Sequence, residues 1–368
     1  MAVAEPTQLS FDDLAIWRNA LPGVQHAVLP PSSDRPNPKL GDGLLFVSVF
    51  APGCVYALDA ATGKICWRRE LPYLGGSSVE LAGDLLLAKT AKTLYSLDPA
   101  SGSIRWEFCP NGSERETLYS EPVLDGSRLF IGDRRGWLYC LDVETGKTIW
   151  KRETSEAHNR DVNATGIVVA GLMITATNAG LALAYSVDDG QPVWQCKVDG
   201  PCVNHLFLAG RQVVVTAESL HFLEPTTGEL QGRVHWSGLA VAFAAGTPSQ
   251  VALFRRPSLD EWKKSDEADQ YSPEAETMFM FEGARLIREI PCSGYARALR
   301  FSPATGLLYA SGLIGLDILN PAKGEWLYTL RPNEMASGYG LPDVTKNRIY
   351  AMDENGVVCA VQHPTITD

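Results

Sequence analysis

Residues 138–153 read LYCLDVETGKTIWKRE, and the middle of this stretch, DVETGK, gathers an aspartate, a threonine, a glycine and a lysine as phosphate-handling loops do. Comparison with the rest of the chain decides between chemistry and architecture. The phrase returns as ALDAATGKICWRRE at 57–70, SLDPASGSIRWEF at 96–108 and AYSVDDGQPVWQCK at 184–197. It recurs again as FLEPTTGELQGRV at 222–234, FEGARLIREI at 281–290 and ILNPAKGEWLYTL at 318–330. Subtraction along Gly63, Gly102, Gly146, Gly190, Gly228, Gly283 and Gly324 gives spacings of 39, 44, 44, 38, 55 and 41 residues. A strand-rich unit recurring about every 40 residues is the signature of a β-propeller blade. Across the copies Lys147 becomes Ser103 or Ala284, and Asp142 becomes Glu224 or Asn320. A catalytic constellation is not built seven times and left to vary so freely. DVETGK is a turn.

Each unit divides in the same way. SEPVLD, SRLFIG, WLYCLD and KTIWKRE are short apolar or alternating segments, separated by Asp125-Gly126, by 133–136 and by 144–146. Four antiparallel strands make one blade. Between the third and fourth strands the glycine supplies a positive φ, and the aspartate (Asp59, Asp98, Asp142) accepts bonds from turn amides. The tryptophan four residues after the glycine (Trp67, Trp106, Trp150, Trp194) is expected to fill the wedge between neighbouring blades.

Asp-x-x-Thr/Ser-Gly-x-x-x-Trp, preceded by Leu-Tyr-x-Leu and repeated at this period, resembles the PQQ-like repeat. That family includes quinoprotein alcohol dehydrogenases and the bacterial outer-membrane assembly lipoprotein BamB. The resemblance is strongest from Leu44 to Trp194 and weakens after Gly228, where the tryptophan position holds Gly232 and then Ile287. It implies an all-β fold, a single β-propeller over 1–368. Seven turns end seven blades, and SGYGLPDVTK, NRIYAMDE and GVVCAVQHP supply three further strands near the C-terminus. LAIWRNALPG at 14–23 resembles ICWRRELPY at 65–73, so the N-terminal segment is expected to complete the last blade as its outer strand. The expectation is eight blades, with seven as the alternative if the Gly283 unit is not a separate blade. A polar insertion at 257–276, carrying Trp262 and Tyr271, lengthens the sixth blade as a solvated loop or a docking loop.

Composition narrows the function. The 368 residues are 45% hydrophobic and 20% charged, enough for a sizeable core. A net charge of -11 argues against a nucleic-acid partner, which needs a concentrated basic surface. No apolar run reaches the ~18 residues of a membrane span. The start, MAVAEPTQLSFDDLAIW, has no basic n-region, and Glu5, Asp12 and Asp13 interrupt any signal core, so a cytoplasmic protein is expected. The eight cysteines form no CxxC pair and read as free thiols, a bridge between Cys196 and Cys202 being the one exception considered.

Propellers bind ligands on the face opposite these turns, around the central channel. The loops there are less uniform than the turns, as expected of a site grafted onto a repeat. Aligning the inner strands sets Ser77, Ser120, Thr165 and Asn204 at one level, with Glu121 and His205 one residue further on. His205, Glu121, Arg297 and Tyr339 are the candidate catalytic set, since a histidine, a carboxylate, an arginine and a tyrosine suit acid/base work on a small molecule. His26, Ser77, Ser120, Asn163, Asn204 and Arg300 are the candidate ligand-binding set. The opposing account is that inner-strand ends need polar side chains merely to satisfy backbone groups. His158-Asn-Arg-Asp161 reads as a solvated loop.

Three functions follow in order. The first is a binding module for a small molecule or a protein at the channel mouth, with no redox cofactor and no metal. The second is a cofactor-independent lyase, isomerase or cyclase. The third, implied only by the resemblance, is a dehydrogenase using pyrroloquinoline quinone with calcium and an adjacent Cys-Cys disulfide. This chain lacks such a cysteine pair.

Overall fold

The computed structural model describes residues 6–24, 38–51, 53–72, 79–110, 118, 120–154, 161–162, 164–202, 205–237, 239–257, 277–292, 296–312, 315–331 and 340–364. The described residues form strands and turns, with no α-helix and so no helix able to cross a membrane. They fall into two compact units, Met1–Glu107 with Cys292–Asp368, and Phe108–Pro291.

In the first unit, β1 (Thr7–Ser10) and β2 (Ala15–Ala20) precede two whole sheets. These are β3 (Lys39–Gly41), β4 (Leu44–Val49), β5 (Cys54–Asp59) and β6 (Ile65–Glu70), then β7 (Val79–Ala82), β8 (Leu85–Lys89), β9 (Leu94–Leu97) and β10 (Ile104–Phe108). The second unit holds four sheets. Its first two are β11 (Val123–Asp125), β12 (Arg128–Gly132), β13 (Trp137–Asp142) and β14 (Thr148–Glu153), then β15 (Ile167–Val169), β16 (Leu172–Ala176), β17 (Leu181–Ser186) and β18 (Pro192–Lys197). Next come β19 (Phe207–Ala209), β20 (Gln212–Thr216), β21 (Leu220–Leu223) and β22 (Leu230–Val234), then β23 (Leu239–Gly246), β24 (Val251–Pro257), β25 (Thr277–Glu282) and β26 (Arg285–Pro291). The first unit resumes with β27 (Ala296–Ser302), β28 (Leu307–Gly312), β29 (Gly315–Asn320) and β30 (Glu325–Arg331), and ends with β31 (Asp343–Val344), β32 (Arg348–Met352) and β33 (Val357–Gln362).

The fold class is the eight-bladed β-propeller. The Gly283 turn joins β25 to β26, so that unit is a blade of its own and the count is eight. As expected, β2 pairs antiparallel with β33, Trp17 opposite Ala360, and completes the last blade. The structure adds β1, which runs parallel to β30 as a fifth strand, Leu9 opposite Leu330. The segment 258–276 lies outside the described residues, between β24 and β25 of the sixth blade.

Sequence pattern explains the layering. Second and third strands such as RLFIG and WLYCLD are almost continuously apolar because neighbours cover both their faces. Outer strands such as TIWKRE alternate, with Trp150 buried between exposed Ile149 and Lys151. A bulge precedes six of the seven turns, at Ala57/Leu58, Cys140/Leu141 and Ala184/Tyr185 among others, and there aims the tryptophans Trp67, Trp150 and Trp194 inward.

Trp17, Trp67, Trp150 and Trp194 each rest on the turn glycine of the next blade, Gly63, Gly102, Gly190 and Gly228. Trp67 stacks against Gly102 and Trp150 against Gly190, where an added Cβ would lie 2.6 Å from ring carbon in either case. The indole N–H reaches the same turn: Trp67 donates to Pro99 O at 2.8 Å, Trp150 to Val187 O at 3.1 Å, and Trp194 to Pro225 O at 2.9 Å. Two residues on, Arg69 and Arg152 bond the carbonyls of Gly102 and Gly190. The turn carboxylates behave as expected: Asp59 accepts from the Thr62 amide and hydroxyl, and Asp98 from those of Ser101. With Arg105 also bonded to it, the Asp98 carboxyl is held down at about 2.

Candidate functional site

In the first unit, charged side chains tie one inner strand to the next. Arg300 in β27 donates to the Pro342 carbonyl at 3.2 Å, and Asp343 in β31 accepts from the Leu40 amide at 2.7 Å. Lys39 in β3 pairs with Glu80 in β7 at 2.7 Å. Burial pulls the Arg300 guanidinium below its ordinary pKa, while the charges of Asp343 and Glu80 oppose that shift. Arg300, expected as a ligand-binding residue, thus sits in a chain of contacts that runs through four consecutive blades.

In the second unit the expected polar level gathers around Thr165. The Glu121 amide donates to the Thr165 hydroxyl at 2.9 Å, and the Leu206 amide to the Thr165 carbonyl at 2.8 Å. Ser120, buried beside Glu121, accepts from the Gly132 amide at 2.7 Å. Glu121 is half-buried and His205 exposed, so Ser120, Glu121 and His205 share one neighbourhood through backbone positions. His26, Ser77, Asn163, Asn204 and Tyr339 lie outside the described residues. Arg297 lies in β27, and its side chain is likewise outside them.

A second polar group in this unit went unread in the sequence. Asp199, in the crossing from β18 to β19, accepts from the Ser219 amide at 3.2 Å, from the Ser219 hydroxyl, and from Arg233 Nη2 at 2.5 Å. His221 Nε2 stands 3.6 Å from the same carboxylate, and His235 Nδ1 3.0 Å from the Ser219 hydroxyl. Because Ser219 gives its one proton to Asp199, it accepts from His235, which fixes the Nδ1–H tautomer there. Burial alone raises the Asp199 carboxyl, but the Ser219 bond, His221 and Arg233 outweigh it and hold the pKa below the ordinary value. The signal was present in the repeat. The Leu-Tyr-x-Leu tyrosine is Tyr56, Tyr95 and Tyr139 in three blades, and His221 takes that place in the fifth.

Chemistry at this cluster is limited by access. Ser219 is fully buried and His221 only 3% exposed, so neither reaches a substrate. Arg233 and His235, 43% and 53% exposed, are the groups that face outward. The cluster therefore presents donors at the surface and locks a carboxylate beneath them.

Acid should loosen this blade. Burial lowers the His221 pKa below its ordinary 6.5, opposed by Asp199 and aided by Arg233. With the folded pKa below the unfolded one, its contribution to stability is present above 6.5 and lost as pH falls below that value. His363, buried against Tyr309 at 2.7 Å, is shifted the same way by burial and adds to the effect. Thermal unfolding between pH 7 and 5 is expected to move to lower temperature, and His221→Phe, the sixth blade having Phe279 at the equivalent place, to flatten that slope. An unchanged slope in this variant would refute the assignment.

Between β14 and the next blade lies a groove of 340 Å³, lined by Arg152, Glu153, Leu183, Tyr185, Val193 and Trp194 among others.

Comparison with known proteins agrees with this architecture. A family described as "Outer membrane protein assembly factor BamB" matches residues 11–165, 90–230 and 134–255. The chain belongs to that family. The BamB of Moranella endobia is 26% identical over 159 residues, 40% of this chain and 40% of that protein. The chain thus matches well under half of that relative's length. The structure of BamB from Moraxella catarrhalis superposes with a TM-score of 0.57 at 18% identity, covering 95% of this chain and 99% of that one. Quinohemoprotein alcohol dehydrogenase ADHIIG from Pseudomonas putida HK5 gives 0.68 at 14% identity, covering 99% and 80%, a likeness of fold alone.

The adjacent cysteine pair that the resemblance implies for quinone binding has no counterpart in the sequence, and a calcium-ligand cluster has none among the described residues. No two cysteines are adjacent and all eight are separate thiols, Cys196 and Cys202 included. Among the described residues no three carboxylate, histidine or cysteine side chains converge on a cation.

Proposed function

We propose that this PQQ-like propeller is a scaffold that binds protein partners along the outer strands of its blades. The observation that carries the reading is the exposure of those strands. Ile16, Ile65, Ile104, Ile149, Val193, Leu230 and Leu286 stand 37–49% exposed, one on each of β2, β6, β10, β14, β18, β22 and β26. The remaining outer strand, β30, is covered by β1, and no large hydrophobic side chain of it appears among the exposed ones. Covering by another strand is thus what such an edge accepts. Membership in a family described as an assembly factor supports the same reading. Eight unbridged thiols support a reducing, cytoplasmic setting.

A photo-crosslinking residue placed at Ile104, Ile149 or Leu286 in the native cells is the test. Discrete protein adducts are expected from these positions and none from Lys64 or Lys147 on the turns. If only the turn positions yield adducts, or if pyrroloquinoline quinone binds stoichiometrically and tightly, the reading is wrong.

A further inference from the structure

The chain's own N-terminal segment shows how one wedge between blades is filled. β1 lies parallel to β30, and Phe11, whose amide donates to the Arg331 carbonyl at 2.9 Å, is 2% exposed. Phe11 belongs to the apolar cluster of Leu316, Leu330, Cys359 and Val361, between the seventh and eighth blades. The groove beside β14 occupies the corresponding place between the third and fourth blades. Strand register establishes the correspondence. Leu330 pairs with Leu316 as Arg152 pairs with Leu138, each two residues past the bulge-set inward ring. Cys359 and Val361 face Arg18 and Ala15 of β2, as Leu183 and Tyr185 face Gln195 and Pro192 of β18. One wedge holds Phe11, and its counterpart is a 340 Å³ groove.

We propose that this groove receives an extended segment of a protein partner, which adds a parallel strand to the edge of β14 and buries an aromatic side chain against Leu183 and Tyr185. The inference rests on the scaffold reading and names the partner's chemistry. Strand addition satisfies the open edge, and a pocket for alternate side chains gives specificity. The groove differs from the filled wedge in two charged positions of the outer strand, Arg152 standing where the other has Leu330 and Glu153 where it has Arg331. Arg152 spends three N–H groups, on the carbonyls of Gly190, Lys151 and Asp189. Among the described residues, two of its five donors have no acceptor. The aromatic anchor sets the match: in the filled wedge it is Phe11, followed by Asp12, which pairs with Arg18 of β2 where the groove has Gln195 of β18.

The probe is therefore a fluorescein-labelled peptide PTQLSFDD, copied from residues 6–13, added to the intact chain and followed by anisotropy. Saturable binding is expected, weakened about tenfold or more by Val193→Glu, which alters an exposed side chain at the groove. A peptide carrying serine for the phenylalanine is expected not to bind. Equal binding to the Val193→Glu chain means that the peptide sits elsewhere, for example exchanging with β1, and overturns the proposal. Absence of saturable binding overturns it too. Adducts from Ile104 or Leu286 together with no peptide binding would leave the scaffold reading standing and remove only this one.

Discussion

Gly190→Ala is expected to destabilise the protein by about 2–5 kcal/mol, against about 1–2 kcal/mol for Gly126→Ala. Both glycines have positive φ, 68° and 57°, so both variants carry the left-handed penalty of a side chain there. Only Gly190 has an indole on it. Nothing lies within 4 Å of a Cβ at Gly126, whereas one at Gly190 meets the Trp150 ring at 2.6 Å. The excess is the cost of pushing Trp150 out of the wedge, where it is buried beside Phe130 at 5.7 Å between ring centres. Trp150→Ala alone is expected to cost about 3–5 kcal/mol. The double variant should cost less than the sum, because the methyl group then enters space the indole has left. Urea midpoints followed by fluorescence decide the matter. Equal losses at Gly190 and Gly126 would show that the glycine is kept for its dihedral angle alone.

Removal of residues 1–20 is expected to be larger still, on the order of 6–10 kcal/mol, a substantial part of a whole domain's stability. Two buried aromatic anchors go at once. Phe11 leaves its cluster, and Trp17 leaves the Gly63 turn, where it donates to the Ala60 carbonyl at 3.1 Å. The deletion also strips β2 from β33, opening a buried strand edge made of Val358, Cys359, Ala360 and Val361. An open apolar edge is a template for aggregation. Size-exclusion chromatography should show soluble aggregates or loss of the monomer, whereas Trp17→Ala in the full chain should stay folded with a loss of about 3–5 kcal/mol. A truncated chain that elutes and melts as the full one does would mean that β2 is dispensable.

These two results probe different kinds of information. The TG turns, the four-strand unit, the tryptophan wedge and the completing strand at 14–23 were legible because each is local. Glycine, aspartate and tryptophan hold fixed offsets in the chain, and those offsets are the physical requirement of one turn and one interblade gap. Repetition then separates structure from chemistry, since whatever recurs in every blade serves the blade. The same logic found His221 only once the strand register had been seen. In sequence it is one residue in a variable position, and Asp199, its partner, lies 22 residues before it in a crossing loop.

The candidate site shows the limit more clearly. Ser77, Ser120, Thr165 and Asn204 were set at one level by strand alignment, with Glu121 and His205 one residue further on, and the structure bonds the Glu121 and Leu206 amides to Thr165. Arg300 shared that expectation, yet it is engaged with Pro342 and lies among the carboxylates of Asp343 and Glu80. Nothing in ARALRFS indicates which carbonyl the guanidinium will meet 42 residues later. β1 was hidden for a related reason. TQLS has no pattern that distinguishes a strand from a tail, and only the edge of β30, over 300 residues on, makes it one.

The sequence by itself determined the fold class, the blade boundaries and the device that holds neighbouring blades, because these depend on residues within a single turn and the strands beside it. Tertiary structure alone decided which polar groups meet, which outer strand is covered and which wedge stays open. Those depend on contacts between residues far apart in the chain, whose register is set by packing and not by any local preference.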